Sequence, residues 1–225
     1  MEGRRVKAIV FDLDGTLIDS APDIQAAANR MLEGEGLAPL DLPTITSFIG
    51  NGLPKLVERV MRARGIDPAR HAELAKVTHD IYSAASSVLT RPYPNLMAAL
   101  EALAAAGYAM GVCTNKPEAP ARDILRDLDM ERFFTAVVGG DTLSVKKPDP
   151  APLHRAFEML GATETLYVGD SEVDAATAHS AGIGFALFTE GYRKVPVENL
   201  PHRAAFADFA ALPGIAEDAF RAAAE

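Results

Sequence analysis

Apolar residues are distributed along the chain in two regimes. Near the start, Val6-Lys7-Ala8-Ile9-Val10-Phe11 is an almost continuous apolar run, the pattern of a strand buried on both faces, as in parallel sheets. From residue 20 to 89 the spacing is helical. Ser20-Ala21-Pro22-Asp23 predicts a helix start, with Ser20 as N-cap, an early proline and an acid three residues on. Ile24, Ala28, Met31 and Leu32 continue it, and Gly34 and Gly36 end it. After a loop through Pro39 and Pro43, Leu53, Leu56, Val57, Val60 and Met61 form a second stripe between Pro54 and Gly65. A third runs through Leu74, Val77, Ile81, Ala85 and Val88. Met31 and Met61 read as core fillers.

Arg91-Pro92-Tyr93-Pro94 breaks this pattern and predicts an extended connector. Strands and helices alternate thereafter. A helix with Leu96, Leu100 and Leu103 stops at Gly107, and strands follow at Tyr108–Cys113, Thr135–Val138, Thr165–Val168 and Phe185–Phe188. Helices near 118–128, 150–160 and 172–181 separate them. Such alternation implies an α/β fold, a parallel sheet with helices on both faces. The division expected is a core of residues 1–18 and 90–225, with residues 19–89 inserted as an all-helical cap. Rooted at the edge where ligands bind, the insertion is placed to act as a lid.

Composition narrows the function. The chain has 225 residues, 48% hydrophobic and 24% charged, and a net charge of −9. That charge argues against nucleic acid or an anionic membrane as partner. A small anionic substrate would need positive charge concentrated locally, from a metal or particular Lys and Arg. The single cysteine, Cys113, excludes an internal disulfide, fits a reducing cytosol and ends an apolar run, which predicts a buried inert thiol. Arg4-Arg5 precedes only a short apolar run, so no signal peptide or membrane span is expected. The five histidines show no pair spaced for zinc.

Chemistry gathers first at Asp12-Leu13-Asp14-Gly15-Thr16, beyond the first strand. Two carboxylates this close repel unless a cation or shared proton neutralises them. Thr16 can bind an anion or ligand oxygen, and Gly15 permits a sharp turn or close approach. Three readings compete: strand-to-helix turn chemistry, a calcium loop, and a catalytic carboxylate pair with a divalent metal. The calcium loop fits poorly, because its glycine belongs at the sixth position and here stands at the fourth. Three more polar clusters lie at strand ends or helix starts: Thr114-Asn115-Lys116, Lys146-Lys147-Pro148-Asp149-Pro150, and Gly169-Asp170-Ser171-Glu172-Val173-Asp174. Singly, each reads equally as a turn, a solvated loop or a helix cap. Together they converge on one edge of one sheet.

In that order and combination these motifs resemble the haloacid dehalogenase superfamily, on its phosphatase branch with a helical cap. Ile18–Asp23, Phe48-Ile49-Gly50-Asn51-Gly52, Val138–Asp141 and Gly191-Tyr192-Arg193 resemble the phosphoglycolate phosphatases within it. The resemblance implies a Rossmann-like core and a Mg²⁺-dependent phosphomonoester phosphatase. Its partner would be a small phosphorylated metabolite, 2-phosphoglycolate foremost, and the chain a cytoplasmic monomer or homodimer. Asp12 would be the nucleophile and Asp14 the general acid and base. Mg²⁺ would lie between Asp12, Asp170 and the Asp14 backbone carbonyl, with Asp174 binding directly or orienting. Lys147 would offset negative charge, while Thr114 and the Asn115 N–H, with Gly15 and Thr16, hold phosphoryl oxygens. Gly50-Asn51-Gly52 marks a turn that could approach the substrate. Lys116 and Lys146 read as solvated lysines. One departure is Asn95, where close relatives would carry glycine after Tyr93-Pro94.

Alternatives within the superfamily are weighed by single residues. Asp14 speaks against a dehalogenase, which needs neither that acid nor a metal. A phosphonate hydrolase needs a Schiff-base lysine in the cap, where only Lys55 and Lys76 stand, in unfamiliar contexts. A sugar phosphomutase of the β-phosphoglucomutase kind uses the same core residues and is the main competitor. A non-catalytic metal- or phosphate-binding module is the competitor from another class.

Overall fold

The computed structural model describes residues 5–85 and 87–222. Arg4 of the Arg4-Arg5 pair, the outermost positions of the expected core (1–4 and 223–225) and position 86 of the expected cap lie outside them. The first half of the chain forms β1 (Lys7–Phe11), β2 (Ile18–Asp19), α1 (Ala21–Gly34), α2 (Leu42–Thr46), α3 (Leu53–Arg64), α4 (His71–Ser83) and β3 (Arg91–Pro92). The second half forms α5 (Leu96–Ala105), β4 (Ala109–Cys113), α6 (Glu118–Asp127), β5 (Ala136–Val138) and α7 (Ala151–Met159). It ends with β6 (Glu164–Gly169), α8 (Glu172–Ala181), β7 (Gly184–Phe188), β8 (Ala204–Phe206) and α9 (Leu212–Arg221).

Six strands pair in parallel in the order β5-β4-β1-β6-β7-β8. The two-residue period of β1 explains why its run is apolar throughout. Ile9 and Phe11 enter one core with Leu100 of α5, Ile124 of α6 and Phe220 of α9, whereas Ala8 and Val10 enter another with Leu153 of α7 and Ala178 of α8. A side chain the size of Ile9 or Phe11 contributes about 1.5–3 kcal/mol when fully buried. The sheet is thus covered on both faces, as the alternating pattern implied.

Helices α1–α4 pack round a separate apolar cluster, built from Ala28, Met31, Leu32, Val57, Val60 and Met61 among others, which Tyr192 joins from beyond β7. The chain enters and leaves this block through β2 and β3, which pair antiparallel beside each other, Ile18 with Pro92 and Asp19 with Arg91. Among the described residues no helix is long and apolar enough to cross a membrane.

Local expectations needed three corrections here. The Ser20 side chain does not cap α1; it donates to Asp14 Oδ1 at 2.5 Å. In its place the Tyr192 hydroxyl accepts from the Ser20 and Ala21 amides at 2.8 and 2.9 Å. Helix α4 ends at Ser83 and buries Leu74, Thr78 and Tyr82, while Val77 and Val88 are exposed. Within the expected loop past Pro39, Leu42–Thr46 turns into α2, capped by the Asp41 carboxylate on the Thr44 amide.

Candidate active site

Beside β1 the strand order reverses direction, with β4 on one side and β6 on the other. Open α/β sheets bind ligands at such a point, outside the carboxyl ends of the strands. Asp12 follows β1, Thr114-Asn115-Lys116 follow β4, and Asp170 follows β6. Lys147 comes from the loop between β5 and α7, and Asp174 from the first turn of α8.

Carboxylate oxygens of Asp12, Asp170 and Asp174 lie within 4.8 Å of one another. Lys147, 3% exposed, faces Asp12 Oδ1 at 2.9 Å and Asp174 Oδ1 at 2.7 Å, and donates to the Tyr167 hydroxyl at 2.9 Å. That hydroxyl in turn donates to Asp174 Oδ1 at 2.7 Å. Asp174 Oδ2 accepts from the Ser171 amide and hydroxyl, completing a capping box at the start of α8. Both Asp174 oxygens are therefore taken. Asp12 Oδ1 differs: it is buried and accepts no aligned hydrogen bond, its ammonium neighbour notwithstanding. Asp170 accepts from the Thr16 hydroxyl at 2.7 Å and the Tyr192 amide at 2.6 Å.

Three buried carboxylates lie together with one ammonium that pairs with two of them, Asp12 and Asp174, and the proton affinities follow. Burial, then the Asp174 charge, raises Asp12 to about 7 against the pull of Lys147. Burial and the charges of Asp174 and Asp12 push Asp170 well above the carboxylate range. Asp174 goes the other way: burial works against its charge, but Lys147, Ser171 and Tyr167 outweigh it. For Lys147, burial is overcome by Asp12 and Asp174, so its pKa rises. Lysine gains from the pairing while Asp12 does not, because at Asp12 burial, and after it the Asp174 charge, outweighs Lys147.

Asp14 stands apart from this cluster. Its carboxylate accepts from Ser20 and from Lys116, whose Nζ lies 3.0 and 3.1 Å from the two oxygens. Lys116 is 8% exposed, which overturns its reading as a surface residue. It also donates to the Tyr82 hydroxyl of α4 at 2.8 Å and stands 4.7 Å from that ring's centroid. Burial opposes its charge, yet Asp14 and Tyr82 more than compensate and its pKa lies above the lysine range. Lys146, in contrast, is exposed and donates to the Asn51 carbonyl at 3.3 Å.

A cavity of about 270 Å³ opens over Asp12 and Asp14. Thr114, Asn115 and Lys116 line its core side, and Gly50, Gly52, Leu53, His79 and Tyr82 its helical side. Thr16 is fully buried, spends its hydroxyl on Asp170 and does not line this cavity; nor does Gly15. Gly15 serves by close approach: at φ 92°, a Cβ there would meet Asp170 Oδ2 at 2.6 Å. Asn51 is likewise off the cavity, its side chain accepting from Arg59 at 2.8 Å. The Cys113 thiol is buried and pushed up to about 12, the inert state expected of it.

The site's donors fit a hard divalent cation. They are all oxygens, they carry excess negative charge, and one of them, Asp12 Oδ1, is buried without an aligned donor. A family model described as haloacid dehalogenase-like hydrolase matches residues 9–188. The chain belongs to this family. It is 52% identical over 209 residues to a phosphoglycolate phosphatase of Cereibacter sphaeroides, covering 92% of this chain and 96% of the relative. A phosphoglycolate phosphatase of Rhodospirillum rubrum is 44% identical, with 92% of this chain and 89% of the relative covered. The fold superposes with a TM-score of 0.88 on a predicted phosphoglycolate phosphatase of Haemophilus somnus, at 32% identity, covering 93% of this chain and 97% of the other.

In this haloacid dehalogenase-like hydrolase, sequence reasoning missed three residues that shape the site. Tyr167 sits mid-strand, where an aromatic reads as core. Tyr192 carries both the Asp170 contact and the α1 start, which its place in Gly191-Tyr192-Arg193 did not reveal. Lys116 carried one usable signal, its place directly after Thr114-Asn115 at a strand's carboxyl end.

Proposed function

We propose that the protein is a Mg²⁺-dependent phosphomonoester phosphatase that hydrolyses 2-phosphoglycolate to glycolate and phosphate in the cytoplasm. The observation that carries this reading is Asp12: a nearly buried carboxylate at the cavity floor, beside Lys147 and within reach of Asp170, with Oδ1 lacking an aligned donor. The identity and coverage of the phosphoglycolate phosphatases named above support the choice of substrate.

Asp12 attacks phosphorus: an Asp12 O–P bond forms as the P–O bond to glycolate breaks, leaving an aspartyl-phosphate. Asp14 gives its proton to the departing alkoxide, then takes one from the water that hydrolyses the intermediate. Lys147 offsets charge on Asp12 and the phosphoryl group, and Asp174 holds Lys147 in place. Thr114 and Asn115 line the cavity where phosphoryl oxygens would rest. Asp12, Asp170 and the Asp14 carbonyl would hold Mg²⁺. The ion would contribute positive charge against the phosphoryl oxygens when bound.

Residues 19–89 act as a cap over this cavity. Three successive carbonyls of its loop are tied to the core, Ile49 by Lys194 at 2.9 Å, Gly50 by Asn115 at 3.1 Å and Asn51 by Lys146 at 3.3 Å. Substrate selection at Gly50 and Gly52 follows from their place on the cavity wall. Phosphate release from a panel of small phosphoesters, with and without Mg²⁺ and with Asp12→Asn as control, tests the reading. Stoichiometric phosphate from 2-phosphoglycolate in the wild type alone supports hydrolysis. Phosphoryl transfer without release favours a mutase, and silence on 2-phosphoglycolate removes that substrate.

A further inference from the structure

We infer that Lys116 and Tyr82 position Asp14, so that the proton donor is held only when the helical block is seated on the core. The inference rests on the phosphatase reading above and adds to it two positioning residues. Lysine is rarely buried without a partner, and Lys116 is 8% exposed with its ammonium directed at Asp14 and Tyr82.

The geometry fixes the Asp14 carboxylate from two sides. Ser20 donates to Oδ1 at 2.5 Å, and Lys116 Nζ bridges Oδ1 and Oδ2 at 3.0 and 3.1 Å. Lys116 is itself fixed by Tyr82, through the 2.8 Å hydrogen bond and through the ring 4.7 Å away. Tyr82 lies in the last turn of α4, within the helical block, whereas Lys116 follows β4 in the core. The three side chains thus form a chain from block to core that ends on the carboxylate. In the second half-reaction it holds Asp14 as base whatever the phosphoryl donor; in the first, its effect depends on the leaving group. When the P–O bond breaks, Asp14 passes its proton to the alkoxide and is left an anion, and the adjacent ammonium compensates the charge that appears.

Two phosphoryl donors of similar size separate this role from a structural one. Glycolate must leave from 2-phosphoglycolate with a proton, but acetate leaves from acetyl phosphate as a stable anion without one. Wild type, Tyr82→Phe and Lys116→Met are compared by kcat/KM on both, which reports the steps up to departure of the leaving group and not hydrolysis of the shared aspartyl-phosphate, with thermal unfolding to verify folding. Lys116→Met is expected to lower kcat/KM on 2-phosphoglycolate by about 100-fold or more, and at least ten times as much as on acetyl phosphate. Tyr82→Phe, which removes one hydroxyl, is expected to show the same asymmetry at about 5- to 10-fold. Equal losses on both donors, or no loss, overturn the inference, and Tyr82→Phe alone decides if Lys116→Met does not fold. Wild type inactive on both donors removes the phosphatase reading and this inference with it; symmetric losses in the variants remove the inference alone.

Discussion

Asp174 grips Lys147: their side chains meet at 2.7 Å, and neither lines the cavity. With its second oxygen held by Ser171, Asp174 orients the ammonium that faces Asp12 at 2.9 Å, and in the proposed reaction it acts through that ammonium. Asp174→Asn is expected to lower kcat on 2-phosphoglycolate by about 10- to 100-fold, the usual cost of losing an orienting partner. Steady-state kinetics measures it, with a concentration series of Mg²⁺ to separate the effect from metal affinity.

The crowding of carboxylates predicts how stability responds to pH. Asp12 rises from 3.8 to about 7 on folding, and Asp170 moves in the same direction. Between those pH values the native state holds protons that the unfolded chain has released, so stability falls as pH rises. Asp174 has the opposite sign, and its contribution is lost only as pH falls below the carboxylate range. The melting temperature of metal-free protein is therefore expected to decline from about pH 5 to about pH 7.5 relative to Mg²⁺-loaded protein. Differential scanning calorimetry with Mg²⁺ or a chelator checks this, and Asp12→Asn is expected to flatten the difference.

The parallel sheet was legible because buried strands leave continuous apolar runs, as in Ala8–Phe11. Most helices were legible from their stripes and glycine stops. The failures came where a side chain found a distant partner. Ser20 has the form of an N-cap, but Tyr192, far along the chain, takes over the α1 amides and frees Ser20 for Asp14. Thr78 can occupy the buried face of α4 because its hydroxyl bonds back to the Leu74 carbonyl at 2.7 Å. Lys116 looked solvated because its partners, Tyr82 and Asp14, are 34 and 102 residues away. Asn95 was read as replacing a glycine, and its φ of 62° supplies the reason: the position is left-handed, and asparagine is among the few other residues at ease there.

Asp23 fastens the entrance of the helical block to its exit. It is 4% exposed and accepts from the Leu89 amide at 3.0 Å, the Thr90 amide at 2.7 Å and the Thr90 hydroxyl at 2.7 Å. Hydrogen bonds to a buried charge are worth more than neutral ones, and their loss strands donors away from water. Asp23→Ala is expected to destabilise the protein by about 2–4 kcal/mol. Urea unfolding measures the loss, and faster proteolysis near residues 84–90 would place it at the junction.

Gly191 is needed for space alone. A Cβ there would lie 2.3 Å from both the Gly15 carbonyl oxygen and Asp170 Cβ, and 2.4 Å from Asp170 Oδ2. The first of these is backbone, so the methyl of Gly191→Ala cannot be absorbed by rotating a side chain. Asp170 must move, and with it an expected ligand of the divalent ion. Gly191→Ala is expected to weaken Mg²⁺ activation by about tenfold or more, the size of effect seen when a ligand's support is disturbed. Gly214→Ala provides the contrast, since a Cβ in that helical position meets nothing within 4 Å. It is expected to leave activation unchanged and to stabilise the fold by about 0.4–1 kcal/mol. Mg²⁺ concentration curves and urea midpoints for the two variants, measured side by side, separate steric exclusion at Asp170 from a general penalty for replacing glycine.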